Sequence, residues 1–140
     1  MKIKIKKLNP DLPTPFQAYS GDAGMDVYAS VRTVLQPGDC VAIPLGLSIE
    51  IPEGYYAYIT DKSGLSLKHK LRTMGGVIDS NYRGEIHGGI INLSDVPYIF
   101  EIGDKVAQMI IQKTELCEFQ EVLELGNSER GEKRFGSSGK

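Results

Sequence analysis

Cysteine and histidine are scarce in this chain of 140 residues, with two of each. Cys40 and Cys117 lie far apart and in no CxxC pattern, so the expectation is buried free thiols in a reducing cytosol rather than a disulfide. His69 and His87 lack metal-site spacing with other His or Cys, which argues against a transition-metal enzyme. No apolar run is long enough to span a bilayer. Met1 leads into Lys2-Ile3-Lys4-Ile5-Lys6-Lys7 with no apolar run behind it. The reading is therefore no secretory signal and a cytoplasmic location, or the host cytoplasm if the source is viral. A large excess of one charge is missing too. A net charge of −2 gives no general pull toward nucleic acid or an anionic membrane, so neither is expected as a partner. Any polyphosphate must then be bound by a local site.

The remaining composition, 41% apolar and 24% charged, is that of an ordinary globular protein of one domain with a sizeable core. Sixteen Gly and seven Pro break the chain into short pieces, the pattern of an all-β sandwich or barrel. The clearest strand carries Val41, Ile43, Leu45, Leu47, Ile49 and Ile51 at every second position, which puts them on one face. Pro52-Glu53-Gly54 turns the chain, and Tyr56, Tyr58 and Thr60 begin the next alternation. Ile3 and Ile5 between lysines read as a charged edge strand. Further strands are expected at Gly76–Asp79, Glu85–Leu93, Tyr98–Ile102, Lys105–Lys113 and Glu118–Leu125. Only Gly64–Lys70 suits a helical turn or two. No linker divides the chain. Residues 1–125 read as one β domain and 126–140 as a polar, glycine-rich, disordered tail.

Polar loops containing glycine punctuate this scaffold in five places. They are Ala23-Gly24-Met25-Asp26; Lys62-Ser63-Gly64; the run from Gly76 through Asp79 and Tyr82 to Glu85; Gly103-Asp104-Lys105-Val106-Ala107-Gln108; and Arg130-Gly131 with Phe135-Gly136-Ser137-Ser138-Gly139. Such loops suit a phosphorylated ligand, because glycine lets backbone N–H groups approach an anion and serine adds donors. Arg130, Lys62 and Gln108 supply charge and hydrogen bonds. Asp79 and Asp26 are carboxylates able to activate water or hold a hydrated Mg²⁺. The tail also shows P-loop glycine spacing, but Ser137 stands where the phosphate-binding Lys is required and no helix can follow.

In this order and spacing, from about Tyr19 to Gly139, the five segments resemble the trimeric dUTPase family. The resemblance implies a distorted jelly-roll or β-barrel of short strands with one short helix. It also implies hydrolysis of dUTP to dUMP and pyrophosphate with Mg²⁺, which lowers dUTP and supplies dUMP for thymidylate synthesis. Asp79 matches the base that takes a proton from the water attacking the α-phosphorus. Tyr82 matches the ring that packs on deoxyribose and leaves no room for a 2′-hydroxyl. Uracil would be read by the backbone at Gly76 and near His87, with Thr73 at its edge; the His87 side chain itself reads as a partly exposed strand residue. Ser63 and Gly64 match the phosphate cradle, and Gln108 a further phosphate contact. Asp26 matches the carboxylate that meets the metal through water. Phe135 matches the aromatic that closes over uracil, while Arg130, Gly136, Ser137 and Ser138 match γ-phosphate contacts on a lid. Family members of this length are homotrimers that exchange C-terminal tails and share each active site among subunits.

The chain departs from the family pattern in places. Asp61-Lys62-Ser63-Gly64 replaces Pro-Arg-Ser-Gly, and Lys62 loses the bidentate fork of Arg. Asp61 adds a negative charge near the phosphates, or binds Lys62 or the metal. Lys105 stands for an Arg, and Lys133-Arg134 for Gly-Gly. These changes motivate one rival reading, a dUTPase-fold binding or regulatory protein with weak catalysis. The other rival is dCTP deaminase, which needs a Glu where this chain has Gly89 and lacks the Phe lid.

Overall fold

The computed structural model describes residues 1–134. Along the chain run β1 (Lys4–Lys7), β2 (Met25–Tyr28), β3 (Thr33–Leu35), β4 (Cys40–Pro44), β5 (Leu47–Glu50) and β6 (Tyr55–Thr60). Helix α1 (Ser63–His69) follows, then β7 (Leu71–Met74), β8 (Val77–Ile78), β9 (His87–Asn92), β10 (Tyr98–Phe100) and β11 (Lys105–Lys113). Every pairing is antiparallel. The strands form four small sheets, β1-β5, β10-β3, β2-β11-β6-β8 and β4-β9-β7. The expected all-β jelly-roll with one short helix is what forms, without a continuously bonded closed wall.

One apolar core lies between the sheets. Val27, Leu35, Ile43, Leu45, Ile59, Ile86, Ile90, Phe100 and Val106 are its most deeply buried large side chains. The stripe from Ile43 to Ile51 is buried at every second residue, as its period requires. It is not a single strand, however. Gly46 interrupts it at φ +66°, where a Cβ would press on Asn9, Leu12 and Ser30 at 3.0 Å. The carbonyl of Gly46 accepts from the amides of Leu8 and Asn9 instead of a strand neighbour. Thus β4 pairs with β9 and β5 with β1, and one hydrophobic stripe serves two sheets. In β6 the inward residues are Ala57 and Ile59, while Tyr56, Tyr58 and Thr60 are half-buried.

β1 is the charged edge the lysines announce, with Lys4 paired to Glu50 at 2.8 Å. Two further expectations fail. Glu118–Leu125 forms no strand: the apolar pattern is there, but no partner strand of the same chain lies beside it. Phe119, Leu123 and Leu125 are almost fully exposed. Cys40 and Cys117 are free but exposed rather than buried. Cys40 opens β4 on its outward side, and Cys117 follows the last strand. No helix among the described residues is long and apolar enough to cross a membrane.

Candidate active site

Asp79 leaves the end of β8 in a tight turn, closed by the Tyr82 amide donating to the Asp79 carbonyl at 3.1 Å. Its side chain is exposed, and none of the ion pairs among the described residues involves it. Tyr82 folds back over Gly84, where any Cβ would collide with the phenol ring, and its hydroxyl donates to the Glu85 carbonyl at 2.9 Å. The ring is thereby fixed while remaining 44% exposed, which leaves a face for a ligand. His87 Nδ1 lies 3.1 Å from the same carbonyl. Asp79, Tyr82 and His87 line one depression of about 280 Å³ with Val77, Ile78 and Glu85. A wider groove of about 830 Å³ continues from Asp79 past Ser80, Asn81 and Arg83 toward Tyr56 and Leu116. Gly76 is held at φ +114° with its carbonyl accepting from the Ile59 amide, and a Cβ there would strike the Ile59 carbonyl. The start of the hairpin is therefore pressed onto β6 by backbone alone.

A second cluster centres on Asp26 of β2. Lys62 Nζ donates to its Oδ1 at 2.5 Å and Lys105 Nζ to its Oδ2 at 2.8 Å. Burial pushes the Asp26 carboxyl up, but hydrogen bonds and charge from Lys105 and Lys62 outweigh it and hold the group below the usual carboxylate value. The hydrogen bond to Asp26 holds the Lys105 ammonium above its usual value in turn. These three residues and Gln108 line a cavity of about 390 Å³ with Phe16, Tyr19, Asp22 and Gly24. A Cβ on Gly24 would collide with Gln108 Oε1, so only glycine lets that amide lie across the loop. Gln108 Nε2 donates to the Asp61 carbonyl at 2.7 Å. Ser63 and Gly64 stand exposed at the start of α1, directly after Lys62.

The single chain does not bring the two clusters together. Asp26 lies level with Gln108 and Gln108 with Thr60, at one end of β6. Ile78 lies level with Ala57, so Asp79 falls beside Tyr56 near the other end. Three strand spacings of about 4.8 Å and four residues of about 3.3 Å then separate Asp26 from Asp79 by roughly 19 Å between Cα atoms on a flattened sheet. Arg130 reaches neither cluster: its guanidinium hydrogen-bonds the carbonyls of Lys133 and Arg134. Phe135, Gly136, Ser137 and Ser138 lie outside the described residues. The Thr73 hydroxyl donates to Asp61 at 2.8 Å, so its hydrogen is already committed. Sequence reasoning gave Lys105 and Gly24 no individual part in the site. Spacing could not show that Lys105 shares Asp26 with Lys62, since the register of β2 on β11 brings them together.

A dUTPase family model matches residues 11–139. The chain belongs to the dUTPase family. Among curated dUTPases, the deoxyuridine 5′-triphosphate nucleotidohydrolase of Hydrogenobaculum sp. is 42% identical, covering 99% of each chain. Among solved dUTPases, that of Staphylococcus bacteriophage 80alpha with dUpNHpp superposes with a TM-score of 0.92 at 30% identity, covering 99% of this chain and 98% of that one. A mutant dUTPase from phage phi11 of S. aureus, whose structure reveals the coordination of a structural Mg(II) ion, has a TM-score of 0.83 at 25% identity, covering 91% and 100%. Set in this dUTPase, the Asp61 carboxylate pairs with Arg72 rather than with Lys62, which pairs with Asp26. The Asp61 carboxylate accepts from the Thr73 amide at 2.6 Å, from the Thr73 hydroxyl, and from Arg72 Nε at 2.5 Å.

Proposed function

We propose that the chain is a dUTP diphosphatase that hydrolyses dUTP to dUMP and pyrophosphate, with Asp79 as the general base. The observation that carries the reading is the Asp79–Tyr82 turn: an uncommitted, exposed carboxylate beside a fixed, half-exposed tyrosine ring, in a chain of this family. A carboxylate held at hydrogen-bond distance from a polarised water is a competent base. Asp79 takes the proton of the water that attacks the α-phosphorus. Tyr82 offers its face to the deoxyribose and excludes a 2′-hydroxyl. Gly76 and the backbone near His87 read uracil, with Thr73 at the edge through its carbonyl and methyl rather than its committed amide and hydroxyl. Lys62, Ser63, Gly64 and Gln108 receive the phosphate chain.

The residues fit Mg²⁺ only as a cation carried by the nucleotide. Among the described residues no group of three or more His, Cys, Asp or Glu could hold a metal. Asp26 is the carboxylate that would meet the ion through water. When bound with the nucleotide, Mg²⁺ offsets phosphate charge and polarises the α-phosphate. Residues 126–140 serve as the lid, with Phe135 over uracil and Arg130, Gly136, Ser137 and Ser138 toward the γ-phosphate.

The site is completed in a homotrimer. The roughly 19 Å between Asp79 and Asp26 in one copy supports this, because one chain cannot aim both clusters at the same phosphate. The exposed apolar residues Leu116, Phe119, Leu123 and Leu125 support it as well, since they ask for a neighbouring surface.

Gly89 disfavours dCTP deamination. A Cβ at that position would lie 2.5 Å from the Met74 carbonyl on β7, so this backbone has no room for a glutamate there. Incubation with dUTP, dCTP and UTP plus Mg²⁺ tests the proposal. Pyrophosphate from dUTP alone is expected. Ammonia from dCTP would indicate a deaminase, and no turnover would indicate a binding protein.

A further inference from the structure

Helix α1 is weakly anchored at its N-terminal end. None of its side chains is buried, its N-cap Lys62 makes no side-chain capping bond, and no acidic residue lies in its first turn. Leu65 rests half-buried against the core and His69 meets the Tyr98 ring edge-on, which hold the middle and the end of this short helix. Ser63 and Gly64 at its exposed start have no side-chain cap, so the two residues before them bear directly on where they sit. Lys62 is tethered by its flexible stem to Asp26. Asp61 is held far more rigidly.

Its side chain is 22% exposed and accepts three hydrogen bonds from β7, two from Thr73 and one from Arg72, while its carbonyl accepts a fourth from Gln108 on β11. One residue at the end of β6 thus ties together β7, β11 and the start of α1. Charge-assisted hydrogen bonds of this kind are about twice as strong as neutral ones. The pairing also disposes of a conflict. An uncommitted carboxylate next to Lys62-Ser63-Gly64 would repel a phosphate, whereas here Arg72 neutralises it. Burial pushes this carboxyl up, but the Thr73 bonds and Arg72 hold it below the usual value, which keeps it ionised at neutral pH.

We propose that Asp61 is a positioning residue for phosphate binding: by locking β6, β7 and Gln108 together, it sets where Lys62, Ser63 and Gly64 meet the nucleotide's phosphate chain. The inference rests on the phosphate-contact reading of those three residues and Gln108.

The test compares binding of dUpNHpp with Mg²⁺ against binding of dUMP, by calorimetry, in wild type, Asp61→Ala, Asp61→Asn, Ser63→Ala and Lys62→Ala. Loss of one charge-assisted network should weaken dUpNHpp by about tenfold or more in Asp61→Ala, with dUMP affinity nearly unchanged. Asp61→Asn keeps an acceptor for Thr73 and should recover most of the loss. A merely structural role would weaken both ligands together. A folded Asp61→Ala that binds dUpNHpp like wild type, or loses both ligands equally, overturns the proposal. If Asp61→Ala does not fold, Arg72→Ala is measured in its place, and wild-type dUpNHpp binding there overturns the proposal equally. If Ser63→Ala and Lys62→Ala leave dUpNHpp affinity untouched, the phosphate reading itself has failed. If those variants bind weakly while Asp61→Ala does not, only the positioning role has failed.

Discussion

The Asp79–His87 hairpin and the Asp26–Lys62–Lys105 cluster stand at opposite edges of one four-stranded sheet and are held in opposite ways. The hairpin is shaped by backbone: a turn closed from Asp79 to Tyr82, glycines where a Cβ would collide, and a carboxylate with no ion pair among the described residues. The cluster is shaped by side chains, with one carboxylate shared between two ammonium groups. The difference suits the two tasks proposed above, proton acceptance by Asp79 and phosphate contact by the cluster. A group that gains a proton during reaction must not be locked into its charged form by a neighbour. Groups that only need to be charged and in place gain from mutual pairing.

The largest expected effect separates the two tasks directly. Asp79→Asn should lower kcat by about 10²–10⁴-fold, the range of a lost general base, with dUpNHpp affinity nearly intact. Loss of binding as well would make Asp79 a ligand contact instead. The second test asks whether the halves come from different copies. Asp79→Asn and Lys62→Ala/Lys105→Ala, each nearly inactive, should regain activity when their subunits are exchanged, because a closed ring places an intact hairpin against an intact cluster. Inactive mixtures would put both halves in the same chain. Removing residues 130–140 should cost about 10²-fold in kcat/KM through lost closure, and an unimpaired deletion would rule out the lid.

A smaller effect belongs to Tyr82, whose replacement by Ala should reduce the preference for dUTP over UTP by about tenfold, as expected for losing one well-packed steric contact. The smallest is acid sensitivity. Asp26 and Asp61 are both held below their ordinary value in the fold. Their contribution is therefore full above the unfolded value of about 3.9 and is lost as pH falls through the folded value. The stability gap between wild type and Asp26→Asn in urea should hold from neutrality to about pH 4 and narrow below it. A gap that closes between pH 6 and 8 would point to a different titrating group.

The same contrast explains what could be read from residues alone. The hairpin was legible, because Gly76, Asp79, Tyr82 and Gly84 are close in sequence and their turn chemistry is local. So was β11, whose observed bounds are Lys105–Lys113 as expected. The cluster was legible only in part, since the sharing of Asp26 by Lys62 and Lys105 depends on the register of β2 on β11. The use of Asp61 was hidden for the same reason: Thr73 and Arg72 reach it from another strand. The periods of Val41–Ile51 and Glu118–Leu125 report which side chains are apolar, but not where a strand ends or whether it finds a partner. Gly46 and the unpartnered arm decided those points. β2, β3 and β7 were missed because nothing in their local pattern sets them apart from the loops beside them.

Helix α1, resting on the core through Leu65 with its outer face in solvent, has one practical consequence. Leu67 is 82% exposed on it. An environment-sensitive dye attached there, in a background with Cys40 and Cys117 replaced, would sit beside the proposed phosphate-binding turn without disturbing the interior. Its emission would follow nucleotide arrival in real time, giving association and dissociation rates from a variant that does not turn over.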